Sequence, residues 1–293
     1  MRVIFYCLAS LLPLIATASD KPQDKTLTVA AVQMRSSRSL AKNLVHITNS
    51  IAACAGRGAQ VALFPECALT GYFEDSVTNI TASEIAEASK TISDVCKRHQ
   101  IYAIVGSAFR DGQKLFDSAL VFSANGSMIE RYDKLQLAEM WPQAGDHLSV
   151  FKVGDVPCSV IICHDERYPE LVRLPVLAGA RLVFYRSHES GLNEEKKMGP
   201  YRAQIQARAV ENGIYVVQAN APANQDKSGS HGQSRIIGPD GNILKEASIY
   251  DDELVLSSLD LSKATGENAK RSLTRGPFQD WWKEGLKRVR IIE

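Results

Sequence analysis

Short apolar runs recur along the chain and predict buried β-strands. The first is Leu27–Met34, and the second is Val61–Phe64, which Pro65 closes. Apolar runs of about four to eight residues bounded by breakers are typical of strands buried on both faces of a sheet. Further runs of this kind occupy residues 102–108, 115–122, 128–132, 158–163, 182–185 and 215–219.

Apolar residues at helical spacing lie between these runs. The first predicted helix begins after a capping Ser39 and ends at Gly56, with its apolar stripe on residues 40, 44, 47, 51 and 54. The second opens on Thr81 and Glu84, which form a capping box. Further helices are predicted near Pro169, a residue suited to the first helical turn, and over residues 201–212.

Turn dipeptides join several of the strands. Asp111-Gly112, Asn125-Gly126 and Asp240-Gly241 each separate two strand-like runs, which predicts β-hairpins. Strands that alternate with helices, combined with hairpins, predict an α/β protein whose mixed sheets are covered by helices. No linker or repeat interrupts this pattern. We therefore expect a single domain over residues 19–293, with a C-terminal tail from about residue 264.

The N-terminus differs from the rest of the chain. Arg2 precedes an apolar run, Val3–Ile15, which is followed by Ala16-Thr17-Ala18. A basic start, a short apolar core and an A-x-A end are typical of a secretory signal peptide. The run is shorter than the roughly 20 residues that span a bilayer. We expect residues 1–18 to be a signal peptide and the protein to be exported, either to a periplasm or out of the cell.

Net charge and cysteine content indicate which partners, disulfides and metal sites to expect. The formal net charge of the 293 residues is +1, which gives no reason to expect nucleic acid as a partner. Five cysteines follow the predicted leader, and they are too sparse for a disulfide scaffold. Cys54 and Cys96, on neighbouring predicted helices, are the pair best placed for a disulfide. No C-x-x-C motif or Cys/His cluster with metal-ligand spacing is present, so the sequence does not predict a zinc site.

Three polar residues that directly follow strands are candidates for chemistry. Cys163 ends an apolar strand before a helix, where helix N-terminal amides favour a thiolate and can receive an oxyanion. Glu66 lies at the mouth of a buried strand, and a partly desolvated carboxylate suits general-base work. Lys134 could supply a fixed positive charge for an anionic intermediate. Taken singly, each is better interpreted without chemistry: Cys163 as a buried thiol, and Glu66 and Lys134 as exposed charges.

Together, these residues lie in motifs that resemble those of the nitrilase superfamily of carbon–nitrogen hydrolases. Residues 64–72 (FPECALTGY) resemble the superfamily's glutamate motif, residues 132–137 (YDKLQL) its lysine motif, and residues 162–170 (ICHDERYPE) its cysteine motif. The three motifs occur in the superfamily's order. The resemblance extends from about residue 26 to about residue 259, which is nearly all of the chain after the predicted leader.

The resemblance implies both a fold and a mechanism. The fold would be an αββα sandwich, usually in a homodimer or a larger homo-oligomer. Cys163 would be the nucleophile, Glu66 the base, and Lys134 with the backbone amide of His164 the oxyanion site. Glu139 occupies the place of a second glutamate found in many members, where it would orient Lys134 or the substrate nitrogen. No cofactor is implied.

Residues beside the nucleophile would line the substrate pocket. N-carbamoyl-D-amino-acid hydrolases carry two arginines at the place of Glu166-Arg167, so a carboxylate clamp is only half matched here. An acidic Glu166 would suit a cationic amine, unless it forms a salt bridge with Arg167 or Arg173 outside the pocket. His188 and Tyr72 are further candidates for the pocket wall, although each could instead have a structural role.

We therefore expect hydrolysis of a small linear amide or N-carbamoyl compound through a cysteine thioester, with release of ammonia or an amine. The alternatives are nitrile hydrolysis and a catalytically silent binding protein on the same fold.

Overall fold

A computed structural model of the chain describes residues 26–189, 191–192, 198–274 and 284–292. The predicted signal peptide, residues 1–18, lies outside the described residues. The elements, in chain order, are β1 Thr26–Gln33, α1 Leu40–Gly56, β2 Val61–Leu63, α2 Glu74–Asn79, α3 Ala82–His99, β3 Tyr102–Asp111, β4 Lys114–Phe122, β5 Met128–Asp133, β6 Leu148–Val153, β7 Val156–Ile162, α4 Pro169–Leu177, β8 Leu182–Ser187, α5 Met198–Asn212, β9 Tyr215–Asn220, β10 Arg235–Ile237, β11 Ile243–Glu246, β12 Glu253–Asp260, α6 Glu267–Thr274 and β13 Val289–Ile291. No helix within these ranges is both long and apolar enough to cross a bilayer.

The described strands form two mixed sheets. The first has the order β12-β1-β2-β3-β4-β5, and the second has the order β11-β10-β9-β8-β7-β6-β13. Strands β1, β2 and β3 are parallel to one another, as are β7, β8 and β9. Antiparallel strands flank both parallel sets, including the predicted β3-β4 and β10-β11 hairpins. The mixed-sheet prediction is therefore confirmed.

The layers are visible in the alternation of side chains along β1. Val29 and Ala31 join an apolar core between the two sheets, together with Val160 and Phe184 of the second sheet. The intervening Ala30 joins a second core, which α1 and α3 cover. A third core lies between the outer face of the second sheet and helices α4, α5 and α6. Because successive side chains of a strand point to opposite faces, each sheet supports two cores. The protein is thus an αββα sandwich, as expected.

Local signals in the sequence set the helix boundaries. The Ser39 side chain accepts a hydrogen bond from the Lys42 amide at the start of α1. Thr81 and Glu84 form the predicted capping box of α3. Pro169 is the first residue of α4, as its position after the cysteine motif indicates. The Ser39 and Thr81 side chains accept hydrogen bonds from backbone amides that a helix start otherwise leaves unpaired. Pro169 has a fixed φ that suits the first helical turn.

Arg186, on β8, connects the two sheets through the middle of the sandwich. Its side chain is fully buried, and Nη1 donates to the carbonyl oxygens of Val105 and Ser118 at 3.2 and 2.6 Å. Nη2 lies 3.4 Å from Asp117 Oδ1. Both Val105 and Ser118 belong to the first sheet, so a residue of the second sheet satisfies polar groups of the first.

The five cysteines among the described residues are free thiols. The expected disulfide between Cys54 and Cys96 is therefore wrong. Both side chains are fully buried within the core that α1 and α3 cover, where a thiol packs as a small apolar group.

The end of the predicted tail contributes a strand to the domain. Residues of β13 pair in parallel with β6 at the edge of the second sheet, with Val289 opposite Leu148. This part of the tail therefore covers an edge of its own sheet.

Candidate active site

Four strand ends, two from each sheet, meet at one cavity. Glu66 follows β2 and Lys134 follows β5 of the first sheet, whereas Cys163 follows β7 and His188 follows β8 of the second. The cavity has a volume of about 250 Å³. Its described lining consists of Tyr72, Ala138, Glu139, Cys163, His164, Glu166, Arg167, His188, Glu189 and Tyr201.

Carboxylates surround the ammonium group of Lys134. Nζ lies 2.6 Å from Glu66 Oε1, 2.8 and 2.9 Å from the two Glu139 oxygens, and 3.6 Å from Asp117 Oδ2. The Lys134 side chain has no exposed surface. Burial alone would lower the pKa of this ammonium, but Glu66 and the other neighbouring acids raise it well above its ordinary value. Lys134 is therefore a permanent positive charge beside the cavity.

The same three carboxylates could in principle hold a metal ion. Glu66, Asp117 and Glu139 each offer an oxygen within 4.8 Å of the others. However, Lys134 Nζ lies within 3.6 Å of all three side chains, so an ammonium already occupies the space between them. The absence of a metal from the working protein stays a prediction of the sequence.

Both oxygens of Glu66 have fixed partners. Oε1 accepts from Lys134, and Oε2 accepts from the backbone N–H of His188 at 2.9 Å. The turn that carries Glu66 lies against Gly106 of β3. A Cβ atom at residue 106 would lie 2.1 Å from the Pro65 carbonyl oxygen and 2.7 Å from the Cys67 amide nitrogen. Any larger residue at position 106 would therefore displace the turn that holds the Glu66 carboxylate.

Glu139, Tyr72 and His188 form one connected wall of the cavity. The Tyr72 hydroxyl donates to Glu139 Oε1, and the Tyr72 ring stacks on the His188 imidazole with 4.3 Å between centroids. Burial alone would raise the pKa of the Glu139 carboxyl, but the charge and hydrogen bonds of Lys134 lower it below its ordinary value. Burial lowers the pKa of His188 to about 4. At neutral pH this wall combines an ionised carboxylate with an uncharged imidazole.

Cys163 begins a 3₁₀ turn over residues 163–167 in a strained backbone conformation. Its φ is +42°, in the left-handed region that non-glycine residues rarely adopt. Asp165 stabilises the turn by accepting from the amides of Ile162 and Gln136 at 3.0 and 2.8 Å and from the Tyr132 hydroxyl at 2.8 Å. Burial raises the pKa of Asp165 to about 6. These bonds tie the cysteine turn to the strand that precedes Lys134.

The resting state of Cys163 differs from the sequence expectation. We expected helix N-terminal amides to favour a thiolate. Instead, burial and the nearby Glu66 carboxylate raise the pKa of the Cys163 thiol well above its ordinary value. The expectation is wrong because burial disfavours the charged thiolate, and the negative charge of Glu66 disfavours it further. The thiol must lose its proton to a base during the reaction, and Glu66 is the carboxylate beside it.

The three residues after Cys163 that line the cavity differ in exposure and in their partners. His164 is half-buried, and burial followed by the charge of Arg167 lowers its pKa. Arg167 is exposed, and its Nη2 donates to the Tyr201 hydroxyl at 3.0 Å. Glu166 is only 2% exposed. Within the described ranges Glu166 forms no ion pair with Arg167 or Arg173, and Arg173 instead donates to a backbone carbonyl of residue 211. The salt-bridge alternative for Glu166 is therefore wrong.

Sequence reasoning missed several residues of the site. Asp117 lies fully buried beside Lys134, and Glu189 and Tyr201 line the cavity. Asp165 was quoted only as part of the cysteine motif. A signal was available for Asp117, because a carboxylate within the apolar strand run 115–122 requires a buried partner. Glu189 directly follows His188, but no pattern in that segment distinguishes it.

The comparisons with known proteins agree with this geometry. A family model described as carbon-nitrogen hydrolase matches residues 28–266. This chain belongs to the carbon–nitrogen hydrolase family. The superfamily resemblance seen in the three sequence motifs is thereby confirmed.

Curated relatives within the family share about a quarter to a third of their residues with this carbon–nitrogen hydrolase. An omega-amidase of Mus musculus is 28% identical over 257 residues, covering 81% of this chain and 90% of that protein. A nitrilase of Pyrococcus abyssi is 31% identical over 230 residues, covering 75% of this chain and 84% of the relative. Among solved structures, an amidase from Nesterenkonia sp. superimposes with a TM-score of 0.73 at 24% identity, covering 84% of this chain and 95% of that one. That likeness supports the fold.

Proposed function

We propose that this carbon–nitrogen hydrolase cleaves the C–N bond of a small linear amide or N-carbamoyl compound through a thioester on Cys163. The observation that carries the proposal is the cluster of Glu66, Lys134 and Cys163, from both sheets, beside a cavity of about 250 Å³ that Cys163 lines. The omega-amidase and amidase relatives support amide hydrolysis in general. The identity of the acyl group and the covalent intermediate are part of the proposal.

In the first half of the reaction, Glu66 accepts the Cys163 proton as Sγ attacks the carbon bonded to nitrogen. Lys134 and the backbone N–H of His164 hold the resulting oxyanion. The proton on Glu66 then passes to the leaving nitrogen, the C–N bond breaks, and ammonia or an amine departs from a thioester. This is nucleophilic catalysis, in which one difficult step becomes two easier ones. The raised pKa of the Cys163 thiol makes the base essential.

In the second half, Glu66 takes a proton from water as the water oxygen attacks the thioester carbon. The same oxyanion site holds the second intermediate. The C–S bond then breaks, the proton returns to Cys163, and a carboxylic or carbamic acid leaves. Glu139 holds Lys134 in place throughout, and Tyr72 holds Glu139. The supporting role that the sequence gives to Glu139 is thus part of this mechanism.

The test is ammonia or amine release by the purified protein from amides, N-carbamoyl compounds and nitriles. Cys163→Ala is the inactive comparison, and Cys54→Ala, at a buried cysteine outside the cavity lining, is the matched control. Turnover that Cys163→Ala abolishes and Cys54→Ala retains supports the proposal. Accumulation of an acyl adduct on Cys163 in intact-protein mass spectra would identify the intermediate. No turnover of any compound by a protein with a free Cys163 thiol would refute it.

Nitrile hydrolysis is the second candidate, favoured by the 31% identity to a protein named as a nitrilase. It uses the same nucleophile, but the first adduct is a thioimidate: one water adds to it and ammonia leaves to give the thioester, which a second water hydrolyses. Comparing the turnover of nitriles with that of the matching amides decides between nitrile and amide hydrolysis. Turnover of nitriles faster than the matching amides would replace the amidase assignment.

We also propose, from the sequence and its family resemblance, that the protein is exported and forms a homodimer or a larger homo-oligomer. Mass spectrometry of the chain recovered outside the cytoplasm should give a first residue of Ser19. Light scattering should give at least twice the mass of one chain. A full-length chain or a monomer would refute the respective proposal.

A further inference from the structure

A buried acid that forms no ion pair with any described residue lies in the wall of the cavity. The Glu166 residue is 2% exposed and lines the cavity beside Cys163. Among the described residues, no hydrogen-bond partner reaches Glu166 Oε2. A buried polar atom that lacks a partner is costly, so such an atom in a binding cavity indicates a place for a ligand group.

The neighbouring arginines are engaged elsewhere. Arg167 donates to the Tyr201 hydroxyl and lies over the Tyr201 ring, 5.4 Å from its centroid. Arg208 donates through Nε to the backbone carbonyl of Glu166, at 2.9 Å, and through Nη1 to Glu211 at 3.1 Å. Neither guanidinium forms an ion pair with the Glu166 carboxylate in the described structure.

A second acid behind Glu166 makes this wall more negative. Glu189 also lines the cavity and is 4% exposed. It accepts from the Tyr185 hydroxyl and from Gln218 Nε2, both at 2.7 Å, and His231 Nε2 lies 2.9 Å from its Oε2. Burial and then the charge of Glu189 raise the pKa of Glu166. A cation at this wall would relieve that repulsion, whereas an anion would increase it.

We propose that Glu166 binds a protonated amine of the substrate, so that the preferred substrates are small linear amides or N-carbamoyl compounds that carry an ammonium group. This inference rests on the proposed function and specifies its substrate class. On binding, the ammonium lies against the Glu166 carboxylate while the amide carbon lies at Cys163 Sγ. A cavity of about 250 Å³ has room for roughly eight water-sized groups, which limits the substrate to a short chain.

The test compares three amides of similar length and different charge. 4-Aminobutyramide is cationic, pentanamide is its neutral isostere, and succinamate is anionic. The wild-type protein should show a kcat/KM for the cationic amide about 10- to 100-fold above that for pentanamide, the range for a hydrogen bond to a charged group. Succinamate should be the poorest of the three. A preference for succinamate, which would indicate binding at Arg167, overturns the proposal.

Two variants connect the preference to Glu166. Glu166→Gln should bring the ratio of the cationic to the neutral kcat/KM close to one. Glu170→Gln, at an exposed acid in the first turn of α4, should keep the wild-type ratio. An unchanged ratio in Glu166→Gln, with thermal unfolding like that of the wild type, overturns the assignment.

A further measurement serves if Glu166→Gln does not fold. Butylammonium should inhibit hydrolysis of pentanamide by the wild type competitively, and 1-butanol, a neutral analogue, should inhibit at least 10-fold more weakly. Equal inhibition overturns the proposal. Failure of the proposed function is distinguishable, since all three amides would then be inert, whereas failure of this inference leaves an active enzyme with another charge preference.

Discussion

Replacing Lys134 with methionine tests the charge balance beneath the cavity. The substitution keeps most of the side-chain volume but removes the ammonium that lies 2.6 Å from Glu66 and 2.8 Å from Glu139. Removing one partner of a buried ion pair costs about 3–5 kcal/mol. Since two ionised carboxylates share this ammonium, we expect a loss at the upper end, about 4–5 kcal/mol. For a domain of this size that lowers the midpoint of thermal unfolding by roughly 8–20 °C.

The destabilisation caused by Lys134→Met should become smaller as the pH falls. Without the ammonium, burial raises the pKa of the Glu139 carboxyl in the folded state above its value in the unfolded chain. The folded state then binds protons more readily than the unfolded chain, so its stability increases as the pH falls. The deficit of Lys134→Met should therefore shrink between pH 8 and pH 5. In the wild type, Glu139 has a lowered pKa, so its contribution is present at neutral pH and is lost only below the ordinary carboxyl range.

Urea unfolding of both proteins at pH 8, 7, 6 and 5 measures the effect. The double variant Lys134→Met/Glu139→Gln is the matched control, because it also removes one of the unpaired charges, and it should recover about 1–3 kcal/mol at pH 8. All Lys134 variants should lack activity. A stability of Lys134→Met within about 0.5 kcal/mol of the wild type at pH 8 would show that the ammonium does not neutralise these acids.

Three further predictions concern single residues. Asp165→Ala leaves three donors without their acceptor and should lower the free energy of unfolding by more than about 3 kcal/mol. Asp165→Asn keeps one acceptor oxygen and should lower it clearly less, as thermal unfolding will measure. Equal destabilisation by the two variants would contradict the role of the hydrogen bonds. Burial lowers the pKa of His188 to about 4 in the folded protein. As the pH falls below about 6.5, the unfolded chain therefore binds a proton at this residue before the folded protein does. The free energy of unfolding should decline by up to about 3 kcal/mol between about pH 6.5 and pH 4. His188→Gln should flatten that decline, and parallel curves would exclude His188 as its source. Iodoacetamide should alkylate Cys163 at a rate that still rises at pH 9.5, because the thiol pKa is raised; a plateau below pH 8 in peptide mass spectra would contradict this.

Local patterns predicted most elements of the fold. The apolar run before Glu66, the Thr81 capping box and Pro169 at the start of α4 each correspond to an element of the structure. Strands β6, β12 and β13 and the short helices α2 and α6 were not predicted. In β12, Glu253–Asp260, apolar and polar residues alternate only in part, and its pairing with β1 is decided by contacts remote in the sequence. Such pairing is a tertiary property that a local window does not contain.

The candidate site was predicted where it consists of recognisable motifs and missed where it depends on three-dimensional proximity. Glu66, Lys134, Glu139 and Cys163 lie together as the motifs imply. The buried partner Asp117 comes from the neighbouring strand β4, and its role depends on the register of that strand against β5. The raised pKa of the Cys163 thiol was not foreseen, because it depends on a carboxylate almost a hundred positions away in the chain.

The division of the site between the two sheets has a consequence for how the protein gains and loses activity. In the proposed mechanism the base Glu66 and the nucleophile Cys163 come from different sheets, so a half-assembled chain with one intact sheet should be inactive. Turnover should then report the docking of the two sheets more directly than any spectroscopic measure of secondary structure. If the chain were cut in the loop before β6, the second piece would carry Cys163 together with β12 of the first sheet, and recovered hydrolysis would measure the reassociation of the two pieces.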